Sequence, residues 1–185
     1  MTDSLRRALE GPVLEAARAL LGSILISDVG GARTAVRLIE VEAYGGGDDP
    51  ASHAFRGPTL RNRSMFGPPG TLYVYRSYGV HWCANVVAGL EGTPAAVLLR
   101  AGEPVQGREV MEERRGRPDH LTDGPGKLCR ALALTGEHDG TSVWEGPVRL
   151  TEGDAPPGVV AASSRIGVTR GGDLPWRLVL RTGWR

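Results

Sequence analysis

Glu42 stands between Val41 and Ala43 in the run Ile39-Glu40-Val41-Glu42-Ala43-Tyr44. Strand alternation puts Val36, Leu38, Glu40, Glu42 and Tyr44 on one face and Ile39, Val41 and Ala43 on the other. A half-buried carboxylate there has the chemistry of a general base acting on water. Burial and like charge both favour the proton-holding form of a carboxyl, and Glu40 on the same face would supply the like charge. The alternative is that both glutamates are surface residues of an edge strand. The four tyrosines (Tyr44, Tyr73, Tyr75, Tyr78) and both phenylalanines (Phe55, Phe66) all fall between positions 44 and 78. Aromatics crowded beside arginines suggest a platform on which bases stack. Tyr73 and Tyr75 share a strand face, and Tyr78 precedes the turn at Gly79. A strand-borne aromatic can sandwich an extruded base, and one on a turn can enter a base stack as a wedge. Tyr73 itself reads as core.

Charge follows the same geography. Residues 54–90 hold no acidic side chain but include Arg56, Arg61, Arg63 and Arg76, and residues 156–185 hold five arginines against Asp173. Arg61 and Arg63 are candidates for bridging phosphates, which position a protein on DNA without reading its sequence. Asp123-Gly124-Pro125-Gly126-Lys127 can open a helix whose free N–H groups, with Lys127, bind phosphate. Its spacing is not that of a nucleotide-binding P-loop. The histidines (His53, His81, His120, His138) are scattered, and the two cysteines, Cys83 and Cys129, make no disulfide framework, so no metal site is expected.

These residues need a scaffold. The net charge of +1, 41% hydrophobic residues and 23% charged residues belong to an ordinary globular composition. No apolar run approaches the roughly 20 residues of a membrane helix. The charged first ten residues do not read as a secretory signal, so a cytoplasmic protein with reduced thiols is expected. Residues 5–21 carry helical periodicity with a break at Gly11-Pro12, and residues 23–28 and Thr34–Tyr44 read as strands joined at Gly30-Gly31. Residues 45–70 are loop-rich. Strands are expected at 71–78, 81–87, 95–100, 143–151, 159–168 and 176–181, and helices at Arg108–Arg115 and 127–134. Strands outnumber helices without a βαβ rhythm. The expectation is one α+β domain over residues 1–185, with a curved, largely antiparallel sheet flanked by short helices.

In their order these segments resemble the alkyladenine (3-methyladenine) DNA glycosylase family, in its bacterial type. The resemblance is carried by residues 39–44, His53, Arg61-Asn62-Arg63-Ser64-Met65-Phe66, residues 69–75 and Tyr78-Gly79. It continues through Cys83-Ala84-Asn85, residues 97–101, residues 124–129 and Arg165-Ile166-Gly167-Val168. It implies that Glu42 is the general base and that Arg100 and the main-chain carbonyl of Val168 help it hold the attacking water. It implies that Tyr44 lies below a flipped base, with His53 and Tyr75 above it and the Ala51 carbonyl lining the pocket. Asn85 would face the exocyclic amino group of guanine, Tyr78 would fill the gap in the duplex, and Met65 would touch the groove beside it. His81 and Trp82 stand where vertebrate members have Tyr and Phe, which places His81 at the groove.

The implied activity is removal of alkylated or deaminated purines (the 3-methyladenine, 7-methylguanine, hypoxanthine and ethenoadenine class) from duplex DNA by flipping and hydrolysis. No cofactor is implied, and the protein would act as a monomer near the nucleoid. Lys127 is the single lysine, so a strand-nicking amine is not expected. Two other readings compete: a non-catalytic nucleic-acid-binding module, and a Mg²⁺ endonuclease using Asp48, Asp49 and Glu42.

Overall fold

Gly11-Pro12 divides the N-terminal helical segment into α1 (Asp3–Glu10) and α2 (Val13–Leu20), as the sequence pattern predicts. Leu5, Leu9, Ala16, Ala17 and Leu20 form their buried stripe. The computed structural model describes residues 3–153 and 158–182. Among these, the strands are β1 (Ile24–Ser27), β2 (Thr34–Tyr44), β3 (Leu72–Ser77), β4 (His81–Ala88), β5 (Ala95–Gln106), β6 (Val148–Thr151), β7 (Gly158–Ser163) and β8 (Arg177–Thr182). All pair antiparallel in one curved sheet of order β3-β4-β5-β2-β1-β6, with β8 beside the second half of β2 and β7 beside β8. With α3 (Arg108–Arg115) and α4 (Pro125–Ala131), this is the expected α+β class. Among the described residues no helix is long and apolar enough to cross a membrane.

Several elements differ from expectation, among them β5, which runs on to Gln106 rather than ending at 100. Helix α4 starts at Pro125 rather than 127, because proline suits a first-turn position whose N–H has no helical partner. The strand expected over 143–151 forms only from Val148, since Gly146 takes a left-handed φ of 98° just before Pro147. The strand expected over 159–168 ends at Ser163, and the chain then turns inward with Arg165 buried.

The largest correction concerns β2. Leu38 pairs with Gly102, Glu40 with Ala101 and Val41 with Leu99, so Ile39 and Arg100 both fall outside the regular ladder. Such irregularities bend a strand and re-aim its side chains. Val36 and Leu38 lie in the main core, but so do Val41 and Ala43. Glu40, Glu42 and Tyr44 therefore point to the opposite face from Val36 and Leu38, not the same face. The main core fills the helix side of the sheet. A smaller cluster on the other side packs Ala54, Met65, Tyr73, Val87 and Ala96.

Candidate active site

Four strands aim one row of side chains at that second face. Glu42 on β2 lies opposite Leu98 on β5, Leu98 opposite Asn85 on β4, and Asn85 opposite Tyr73 on β3. Directly opposed residues share a face. The flanking row adds Cys83 and Tyr75, and the β5 irregularity presents Arg100. Over this floor lies a cavity of about 570 Å³ walled by Tyr44, Ala51, His53, Arg61, Met65, Tyr73, Tyr75, Leu98 and Arg100, with Tyr78 and residues 166–170 at its sides.

Glu42 is 0% exposed, and both of its oxygens accept a hydrogen bond. Its Oε2 accepts from the Tyr44 hydroxyl at 2.9 Å, and its Oε1 accepts from the Ile166 amide at 2.8 Å. Arg100 Nη1 stands 3.4 Å from Oε1. Glu40 does not act as a bare like charge. Its Oε1 accepts from Arg100 Nε at 2.8 Å and Arg177 Nε at 2.7 Å. Burial works to raise its pKa, but the two arginines outweigh this and hold it below the ordinary value. Burial, then the Glu42 charge, pushes the Tyr44 phenol well above its usual range, so the hydroxyl remains a donor.

The opposite wall is aromatic. Tyr73 and Tyr75 stack with centroids 5.3 Å apart, and His53 meets Tyr75 edge-on at 4.5 Å. His53 Nδ1 is 3.0 Å from the Tyr73 hydroxyl. Partial burial, then the Arg61 charge, holds His53 below its ordinary pKa, and burial pushes Tyr73 up to about 12. All three rings are thus neutral at neutral pH. Tyr73 is core, as its strand position suggests, and also lines the cavity.

Tyr78 tips the β3–β4 hairpin, 92% exposed, with φ 50° followed by φ 69° at Gly79. A bulky residue with positive φ is rare and carries strain. His81 is exposed beside it and packs on Gly126, where an added Cβ would come within 2.9 Å of the His81 Cβ.

Other expected residues sit differently. Met65 is 2% exposed within the small core, so it forms cavity wall and offers no surface to a groove. Apolar side chains that do reach outward include Leu60, Val80 and Ile166. Asn85 is buried below the cavity, its Nδ2 donating to the Tyr73 carbonyl at 2.9 Å. Ala51, His53, Arg100 and Val168 line the cavity as a group. Arg61 and Arg63 are exposed, with no carboxylate partner among the described residues. Lys127 Nζ is instead 2.9 Å from Asp123. Asp49 is bound to Arg165. Among the described residues no group of three or more His, Cys, Asp or Glu side chains could hold a metal ion.

Sequence reasoning missed Asn62 and Arg165. Asn62 donates to the His53 and Gly57 carbonyls at 2.9 and 3.0 Å and accepts from Thr59, folding the loop that presents His53 and Arg61. Its position within a turn-rich, polar segment was the available signal.

Comparison with known proteins shows the family of the chain. The family described as Methylpurine-DNA glycosylase (MPG) matches residues 7–183. A protein of Nitrosospira multiformis named "Putative 3-methyladenine DNA glycosylase" is 47% identical, over 90% of this chain and 84% of its own length. Same-named proteins of Methanoculleus marisnigri and Frankia casuarinae are 46% and 50% identical, over 93% and 91% of this chain and 92% and 84% of their own lengths. The protein is thus an enzyme of the DNA glycosylase class, a hydrolase of DNA repair, rather than a passive binding module or an endonuclease. More narrowly, the chain belongs to the methylpurine-DNA glycosylase family.

Proposed function

We propose that the enzyme flips an alkylated or deaminated purine from duplex DNA into the 570 Å³ cavity and hydrolyses its glycosidic bond with a water activated by Glu42. One observation carries this reading: a fully buried carboxylate, tied to Arg100 and Tyr44, backs a cavity walled by neutral aromatic rings. Tyr44 on one side and Tyr75 with His53 on the other stack the flat ring, at about 1–3 kcal/mol per base–aromatic contact. Alkylation at N3 or N7 makes the purine cationic and a good leaving group, so the site needs a base more than an acid.

Each Glu42 oxygen already has one donor, and a carboxylate oxygen keeps a second lone pair. Glu42 is closed to solvent, so water gains it as the Tyr44 hydroxyl or residues 166–168 shift around the bound nucleotide. Such contacts tighten or reform on substrate binding. Arg100 and the Val168 carbonyl then orient that water. Tyr78 fills the space left in the stack, and Arg61 and Arg63 hold phosphates. Asn85 selects against undamaged guanine by crowding its 2-amino group, a barrier that the better leaving group of an alkylated guanine offsets. The enzyme works as a monomer, near the DNA of the cytoplasm, without a cofactor, and leaves an intact abasic site.

The test is release of free base from duplexes carrying 3-methyladenine or hypoxanthine, against undamaged controls. Release from the damaged duplexes alone is expected. Binding without any release would overturn the proposal.

A further inference from the structure

Arg165 and Asp49 are buried together, yet neither lines the cavity nor touches Glu42. Their guanidinium and carboxylate meet in a two-point pair at 2.5 and 2.9 Å. Asp49 also accepts from the Gly45 and Ala51 amides, each at 3.0 Å, which folds the loop leading to His53. Arg165 donates further to the Ala43 carbonyl at 3.0 Å and the Gly171 carbonyl at 2.9 Å. One pair therefore joins the end of β2, the loop carrying Ala51 and the segment 165–171. The guanidinium also lies over the Tyr44 ring, 4.8 Å from its centroid, and 5.3 Å from that of Trp176.

We propose that Arg165 and Asp49 are a positioning pair for base excision, fixing the Tyr44 ring and the Ile166 amide on Glu42 by locking both cavity walls to β2. The inference rests on the proposed function. Arg165 precedes Ile166, whose amide holds Glu42, and stands behind Tyr44, whose hydroxyl holds the other oxygen. A shift of the pair moves both donors of the carboxylate at once. Stability alone is a poor account of it, because the desolvation of two buried charges offsets their attraction. Arg165 Nε, moreover, is buried without a partner among the described residues, a cost the pair carries. The planar fork is what the geometry uses, and lysine cannot supply it.

The experiment uses the Asp49→Leu/Arg165→Met double variant, since an apolar replacement of a buried ion pair usually preserves folding. Arg165→Lys is run beside it. Single-turnover base release should fall about 100-fold in the double variant and about tenfold in Arg165→Lys, while the Kd for lesion duplex changes less than about threefold. Amide exchange at Gly45, Ala51 and Ile166 should quicken while that of the β4 and β5 core stays unchanged. Unchanged exchange at these amides overturns the proposal. So does an unchanged release rate, full activity in Arg165→Lys, or a rate loss matched by an equal loss of binding and thermal stability. Wild-type enzyme that releases no base would sink the proposed function instead, and the exchange comparison would still decide whether the clamp exists.

Discussion

Replacing Tyr78 with glycine should lower activity without lowering stability. The residue sits at φ 50°, and its side chain is 92% exposed, so there is strain to relieve and almost no packing to lose. The left-handed conformation costs a non-glycine residue about 1–2 kcal/mol. Glycine returns about 0.4–1 kcal/mol of that through the freedom it adds to the unfolded chain. The net gain of about 0–1.6 kcal/mol should leave the thermal midpoint unchanged or raise it by up to about 6 °C for a chain of this size. The lost ring forfeits about 1–3 kcal/mol of stacking in the duplex, roughly a 5- to 150-fold fall in excision. Single-stranded substrate has no stack to hold open and should lose little. Differential scanning calorimetry and single-turnover release from matched single- and double-stranded hypoxanthine substrates read both effects. A lowered midpoint would refute the strain argument, and equal losses on the two substrates would refute the wedge.

Asn85→Ser should widen release toward undamaged guanine, and should cost about 0.5–1.5 kcal/mol by removing the side-chain hydrogen bond to the Tyr73 carbonyl. Unchanged release of normal guanine would remove Asn85 from specificity. Acid should weaken the fold through Asp49 and Glu40. For both, burial raises the pKa but paired arginines, aided at Asp49 by two amides, pull it below the ordinary 3.8 and 4.5. The native state then binds fewer protons than the unfolded one, so their contribution is full above about pH 4.5 and is lost as pH falls through the folded values. Urea melts from pH 7 to 3 should show this decline, and stability rising below pH 4.5 would contradict it. Borohydride should trap no adduct on lesion DNA, because Lys127, the single lysine, does not line the cavity. An adduct that vanishes in Lys127→Arg would show amine chemistry instead.

Local pattern made much of this legible. Gly11-Pro12 marked the helix break, alternation located β2, and period two put Tyr73 and Tyr75 on one face. What escaped depends on contacts remote in sequence. The irregularity at Ile39 and Arg100 reverses the parity of β2 midway, and no residue in that run announces it. Arg165 read as one more cation of a basic segment, yet it is buried against Asp49, 116 residues away. Met65 had an apolar residue's two possible fates, and packing against Tyr73 and Val87 decided for the interior. The Asp123–Lys127 pair was within reach of sequence, being spaced for one helical turn, and it explains why that lysine is not free.

The central claim is that Glu42 is the base that activates water. Single-turnover release from a hypoxanthine duplex by Glu42→Gln tests it most directly, with lesion binding measured on the same preparation. The amide keeps the shape of the side chain and loses its basicity, so release should fall about 10²–10⁴-fold while binding persists. Release near the wild-type rate would contradict the account.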